Sequence, residues 1–292
     1  MRWDPAQFAR TVKAPVLITG GAGMLGRAWR DLLAGAGVEH HAADVAEIDI
    51  TSEASVAAVA SGPWRTVINC AAWTNVDGAE ADEPAATRVN ARGVERLADA
   101  CLVRGALLVH YSTDYVFDGR AAAPYPIDHP RDPINAYGRG KAAGEEALER
   151  SGAEHLLIRT SWLYAPWGAN FVRTIARLAR EKPTLRVVND QRGRPTSAEH
   201  LARATAALIA AGARGTHHAT DGGECTWFEF ASEIVRLAGS PCRVEPCTTA
   251  EFPRPAKRPT YSVLDLSATE AKIGPMPAWQ GNLRDVMSRL EQ

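Results

Sequence analysis

The sequence has no run of 18 or more apolar residues, so no segment reads as a membrane span. It also lacks long blocks of like charge. Thirty-three Lys and Arg face 34 Asp and Glu, a formal net charge of −1, which argues against nucleic acid or a membrane surface as a partner. The opening stretch, MRWDPAQFARTVKAP, has no apolar h-region and does not read as a signal peptide. Cysteines are few, odd in number and scattered: Cys70, Cys101, Cys225, Cys242 and Cys247. Cys70 and Cys101 sit in apolar runs, where a free thiol behaves as a small hydrophobe, and Cys242 and Cys247 lack a second ligand pair at zinc spacing. A reduced, cytoplasmic protein is the economical reading. No carboxylate set stands out as a cation cage and His217–His218 suggest no metal cluster, so no metal is expected. Internal repeats and low-complexity tracts are absent too.

What is present is alternation. Short apolar runs at 15–20, 38–44, 66–72, 106–113 and 155–162 read as strands. Those at 15, 66, 106 and 155 are nearly continuous in apolar residues, as parallel strands buried on both faces should be. Helical patterns lie between them. Met24, Leu25, Ala28, Trp29, Leu32 and Leu33 form one apolar stripe; Val89, Val94, Leu97, Ala98, Cys101 and Leu102 form another. The pattern predicts an α/β fold, a Rossmann-type doubly wound parallel sheet with right-handed crossovers. After about residue 160 the rhythm loosens, and FPRPAKRPTYS (252–262) reads as a loop. The expected division is a dinucleotide-binding domain over 1–165, completed by parts of 184–215, and a smaller substrate-binding lobe mainly over 166–292.

LITGGAGMLG places Gly20, Gly23 and Gly26 directly after the first strand and into the first helix. Glycine there permits a tight turn, close approach of backbone to a pyrophosphate and close helix–strand packing. The helix N-terminus then offers amide donors to phosphate. A dinucleotide cofactor is expected. Asp44, at the end of the second strand, could accept hydrogen bonds from an adenosine ribose, or could be an ordinary polar strand end. His40 and His41 read as structural. No basic residue follows closely enough to argue for a 2′-phosphate, so NADH and NADPH both stay open.

INAYGRGKAAGEE (134–146) puts Tyr137 four residues before Lys141. On a helix, such a pair shares a face and can converge on one bound group. Equally, a YxxxK pair can be a core-edge tyrosine beside a solvated lysine.

The glycine loop, STDYVFDG (112–119) and YGRGK (137–141) together resemble the extended short-chain dehydrogenase/reductase superfamily, and within it the dTDP-4-dehydrorhamnose reductase family. INCAAWTNVDGAE (68–80), VNARGVERLADAC (89–101), RTSWLYAPWGANF (159–171), VNDQRGRPTSAEHLA (188–202) and RPTYSVLDL (258–266) extend the resemblance from about Val16 to the C-terminus. It implies reduction of a dTDP-linked 4-keto-deoxysugar with NADPH or NADH, in nucleotide-sugar and dTDP-rhamnose biosynthesis.

The resemblance further implies roles for individual residues. Tyr137 would donate the proton, Lys141 would lower the phenol pKa and bind the nicotinamide ribose, and Thr113 would hold the substrate oxygen. Asn90 would support a water-linked relay to the lysine, although an internal helix Asn facing solvent is an equal reading. Gly23, Met24 and Leu25 match the pyrophosphate loop. Asp49 and Ile50, placed after the third strand, match an adenine contact. Ala71, Ala72 and Tyr111 match residues lining the cofactor. Thr74, Val76, Asp114, Tyr115 and Trp162 match positions around the sugar nucleotide. Trp162 also has a plain core reading, since it ends an apolar run. Arg254, Lys257 and Arg258 could meet the diphosphate, or form a solvated loop.

Three other readings compete with this one. Sugar-nucleotide 4,6-dehydratases carry an Asp-Glu pair straight after the threonine; here Tyr115 follows Asp114, so elimination would lack its base. Epimerases usually have VYG where this chain has DYVFDG. A non-catalytic subunit resembling methionine adenosyltransferase β would be expected to have a degenerate site, whereas Thr113, Tyr137 and Lys141 are all present. Which sugar, which cofactor and whether the chain is a monomer or homodimer are left open.

Overall fold

The computed structural model describes residues 4–290. Twelve strands are β1 Val16–Thr19, β2 His40–Ala43, β3 Thr66–Asn69, β4 Leu107–Thr113, β5 His155–Thr160, β6 Leu163–Tyr164, β7 Thr184–Val188, β8 Arg192–Gly193, β9 Thr196–Ser197, β10 Gly215–His218, β11 Cys225–Thr226 and β12 Arg243–Cys247. The α-helices are α1 Pro5–Thr11, α2 Met24–Gly35, α3 Glu53–Ser61, α4 Val76–Ala81, α5 Glu83–Thr87, α6 Gly93–Arg104, α7 Ala136–Arg150, α8 Phe171–Glu181, α9 Ala198–Ala210, α10 Trp227–Leu237, α11 Ser267–Ile273 and α12 Trp279–Met287.

Six strands form one parallel sheet in the order β2-β1-β3-β4-β5-β10. Every residue of β1, β3 and β4 is buried, because helices cover both faces. One core lies beneath α1, α2 and α9, built on Trp29, Leu33, Ile18 and Leu201; the other lies beneath α3 and α6, built on Leu17, Val67 and Leu97. The chain leaves β1 toward β2 on one side and later returns to β3 on the other, so the order reverses between β1 and β3. A crevice opens there at the carboxyl ends of the strands. The fold is therefore the doubly wound α/β architecture that the alternating pattern predicts.

Boundaries shift in one direction. The apolar runs read as strands to residues 72 and 162 leave the sheet at Asn69 and Thr160, and their last residues turn into the crevice. Leu102, assigned above to an apolar stripe, is instead 51% exposed. Asp49 and Ile50 follow β2 rather than the third strand.

The sheet is completed by α9 and β10, which lie late in the chain. Of the span 184–215, from which parts were expected to take part in that completion, α9 does so, whereas residues 184–188 belong elsewhere: β7 pairs with β12. Together with α8, α10 and α12 they surround a third core of Tyr164, Val172, Phe230, Ile234, Trp279 and Leu283. Segment 252–266 is a loop bridged to the body at Tyr125–Leu264 and Arg192–Tyr261.

Candidate active site

A cleft of about 470 Å³ lies at the carboxyl ends of β1, β3, β4 and β5. One end is the start of α2. Gly20 adopts φ 68°, and a Cβ there would stand 2.7 Å from the Ala71 amide nitrogen; a Cβ on Gly26 would stand 2.2 Å from the Gly20 carbonyl oxygen. These two glycines shape the turn and let the helix sit against the strand. Gly23 caps α2 without any side-chain hydrogen bond, and Gly23, Met24 and Leu25 line the cleft. An α2 N-terminus with no side-chain cap and no acid in its first turn suits a pyrophosphate. Ala71 and Ala72 continue this wall.

The opposite wall is carried by β4 and α7. Asn135 caps α7 by accepting the Gly138 amide at 2.8 Å, and its own amide donates to the Lys257 carbonyl at 2.9 Å. The cap thereby also fastens loop 252–262. With α7 so placed, Tyr137 and Lys141 both face the cleft, as do Tyr111, Thr113, Asp114 and Tyr115. Tyr137 and Tyr115 meet edge to face at 6.0 Å.

Burial pushes the Tyr137 phenol up to about 12; the neighbouring Asp114 adds to this and a hydrogen bond with Thr113 opposes it. The lowering expected from Lys141 is thus replaced by a rise. The physical reason is direction: Lys141, 2% exposed, turns its nitrogen to β4, where it donates to the Tyr111 carbonyl at 2.5 Å and lies 3.2 Å from His110 Nε2. Burial brings the lysine down to about 8, with Glu145 opposing. Thr113 donates to Asp114 Oδ1 at 2.9 Å. Burial pushes the Asp114 carboxyl up to about 7, against the opposing hydrogen bonds of Ser262 and Thr113.

Thr74, Val76 and Trp162 line the cleft as expected. Trp162 does not end a strand. It stands beyond β5 at φ 47°, a backbone state that bulky residues rarely adopt, with its indole stacked 3.6 Å over Trp227.

Several expected residues lie outside this cleft. Asn90 is 1% exposed rather than solvent-facing, in a π-helical turn (Arg88–Arg92). Its side chain accepts from the Trp73 amide at 2.9 Å and donates to the Trp73 carbonyl at 3.0 Å, so it positions the loop after β3 and does not itself reach Lys141. Asp49 Oδ1 accepts from both the amide and the hydroxyl of Thr51, at 2.8 Å each, and Ile50 is a core side chain. Asp44 sits at an exposed turn whose carbonyl accepts from Glu47 and Ile48. Arg258 is not solvated: it meets Asp77 at 3.0 Å with 15% of its side chain exposed, while Arg254 reaches the same carboxylate at 3.2 Å from the surface. The sequence assigns no role to His110, Asn69, Asn170 or Trp227. Only His110 gave a signal, as an ionisable residue inside an apolar strand.

Among the described residues, no group of three or more His, Cys, Asp or Glu is placed to hold a metal ion, and no helix is long and apolar enough to cross a membrane.

The family model described as the RmlD substrate binding domain matches residues 14–292. The chain is 44% identical over 278 residues to a dTDP-4-dehydrorhamnose reductase of Streptomyces griseus, covering 92% of this chain and 91% of that protein. It is 43% identical to a dTDP-4-keto-6-deoxy-D-glucose reductase of Streptomyces niveus, covering 90% and 93%. The crystal structure of dTDP-4-dehydrorhamnose reductase from Bacillus anthracis in complex with NADP superposes with a TM-score of 0.90 at 36% identity, covering 96% and 99%. The chain belongs to this family.

Proposed function

We propose that this family member is an NAD(P)H-dependent oxidoreductase that reduces the 4-keto group of a dTDP-4-keto-6-deoxyhexose, with dTDP-4-dehydro-L-rhamnose as substrate and dTDP-L-rhamnose as product. The observation that carries the reading is the meeting of Thr113, Tyr137 and Lys141 in one cleft with the uncapped start of α2. Relatives named for this chemistry support it, one of them solved with NADP.

Reduction of a ketone requires a hydride at carbon and a proton at oxygen. The nicotinamide supplies the hydride when bound. The chain's residues supply the rest. Gly23, Met24 and Leu25 would hold the pyrophosphate by backbone amides, and Lys141 would hold the ribose beside it. Tyr137 keeps its proton throughout the neutral range, since its phenol titrates at about 12, so it stands ready as the donor to the developing alkoxide. Thr113 fixes the oxygen of the substrate next to that phenol. Trp162 closes the far side and excludes water from the sugar.

The test is loss of reduced-nicotinamide absorbance when purified protein meets dTDP-4-dehydro-L-rhamnose, with the product configuration read by NMR. Turnover of the 4-keto-6-deoxy-D-glucose nucleotide instead would reassign the sugar. No turnover of any 4-keto nucleotide would overturn the enzyme reading in favour of a binding subunit. Five free cysteines suit a reducing, cytoplasmic setting.

A further inference from the structure

Gly193 is buried, and its backbone is not in the left-handed region, so no turn demands a glycine there. Space demands it. A Cβ on Gly193 would stand 2.7 Å from Trp162 Cε2 and Cζ2 and 2.9 Å from Nε1, well inside van der Waals contact. An indole is a rigid plane with no flexible end to yield, so a side chain at 193 must move the whole ring. Nor can the backbone beneath the ring drift. The Trp162 carbonyl accepts from the Thr196 amide at 3.2 Å, the Ser161 hydroxyl donates to the Arg194 carbonyl at 2.6 Å, and β6 pairs with β9. The stretch that carries Trp162 is thereby fastened to the stretch that carries Gly193.

Trp227 limits the indole on its stacked face, with ring centroids 3.6 Å apart and planes 11° from parallel. It cannot give way easily. Phe171 packs against it at 4.5 Å, and the Thr226–Glu229 capping box holds it at the start of α10. Strands β8 and β11 pair at Gly193–Cys225 and Arg192–Thr226, so one short ribbon presents both the bare backbone and the backing ring. The open side of the indole is the cleft that it lines.

We propose that Gly193 and Trp227 together set how far Trp162 stands over the sugar, and that the missing side chain at 193 is a specificity determinant. It lets the indole draw back far enough for a hexose ring to enter. The inference rests on the sugar-wall role proposed above for Trp162 and names what fixes that wall. Gly193 acts through Trp162 and is a positioning residue; Trp227 backs the same ring. A methyl group at 193 would press the indole toward Trp227, which blocks it, and so drive it into the cleft. With Trp227 trimmed, the same methyl group would find room behind the ring and leave the sugar end as it was.

The displacement can be read on the ligand-free, ¹⁵N-labelled protein without any turnover, so failure here is separate from failure of the reductase reading. The chain has eight tryptophans, and the Trp162 indole N–H signal is assigned by its loss in Trp162→Phe. Gly193→Ala should move that signal while the others, Trp227 apart, keep their places. An unmoved Trp162 signal, or a shift of all of them alike, overturns the proposal. In kinetics, Gly193→Ala should raise the sugar-nucleotide KM by about tenfold, the scale of one aromatic contact, and change kcat less. Affinity for dTDP, which has no hexose, should stay as it was by calorimetry; an equal loss there overturns the proposal. In a Trp227→Leu background the same alanine should change KM by less than about twofold, and a full tenfold effect in both backgrounds would show that the two positions act independently. Should Gly193→Ala not fold, Trp227→Leu alone serves. It should move the Trp162 signal and raise the sugar-nucleotide KM, and an unmoved signal would count against the proposal.

Discussion

The two long walls of the cleft are built in opposite ways. The β4–α7 wall carries Thr113, Tyr137 and Lys141 on regular elements, with α7 capped by Asn135 and Lys141 enclosed to 2% exposure. The facing wall carries Trp162 on a segment between strands, in a left-handed backbone state, stabilised by its stack on Trp227. Groups that move protons need fixed distances, and regular elements supply them. A wall that selects a substrate can be set on connecting chain, where shape changes without disturbing the sheet. On the roles proposed above, the difference would separate chemistry from selection within one cavity of about 470 Å³.

If the comparison holds, damage to the rigid wall should appear in kcat and damage to the other in KM. The largest effect is expected for Tyr137→Phe, which removes one oxygen and little packing. Its kcat should fall by about 10²–10⁴-fold while cofactor affinity, read by fluorescence titration, is unchanged. A wild-type kcat would return Tyr137 to a core-edge role. Next comes Lys141→Met, which should lower kcat by about 10²-fold and also weaken cofactor binding, because one side chain serves both. A loss in only one of the two would separate roles assigned here to the same nitrogen.

Trp162→Ala should raise the sugar-nucleotide KM by about tenfold, the scale of one lost aromatic contact, and leave cofactor affinity alone. Trp162→Gly should lose the same contact yet unfold at higher denaturant than the Ala variant, by about 1 kcal/mol, since glycine accepts the left-handed state. Equal stabilities would mean that the backbone there relaxes.

The smallest effect concerns pH. The folded Asp114 carboxyl titrates at about 7, above the ~3.9 of an unfolded chain. Its contribution to stability is therefore fully present below about pH 4 and is lost as pH rises through 7, since the native state binds the extra proton across that window. Asp114→Asn should flatten that limb in urea titrations; an unaltered slope would place the titration on another group.

Much of the rigid wall and the glycine loop was legible in the sequence, because their residue types are forced locally. Gly20 and Gly26 answer to backbone contacts within a few residues of themselves or of the neighbouring strand, and the Tyr137–Lys141 spacing is a property of one helix. Asn90 was legible as a residue but not as a role: its partner, Trp73, lies on the loop after β3. The contact of Asn69 with His110 is set by Ala71 and Thr19, which both bond to Asn69, a chain of contacts across three strands that no single-sequence pattern displays. Asp49 and Ile50, expected at an adenine contact, lie outside the cleft, the acid accepting from Thr51 and the isoleucine packed in the core. Residues 184–188 fall within the span from which parts were expected to complete the first domain; only the pairing of β7 with β12 assigns them to the small lobe.

The sheet and its covering helices close late in the chain, and this bears on how the protein is made. The apolar face of α2, with Leu25, Trp29 and Leu33, shares a core with α9 and lies in the same layer as α1. The edge strand β10 joins β5 only at residues 215–218. A ribosome adding ~5–20 residues per second leaves that helix face uncovered for on the order of ten seconds or more after it emerges. By the end of that interval the nascent chain carries α2, β1, β3, β4 and all of α7, with Thr113, Tyr137 and Lys141, but still without the lid of α9. The nascent chain should therefore be a client for chaperones that bind exposed apolar helices, and chains stalled between residues 150 and 198 should be cleared by proteases although Thr113, Tyr137 and Lys141 have all been synthesised.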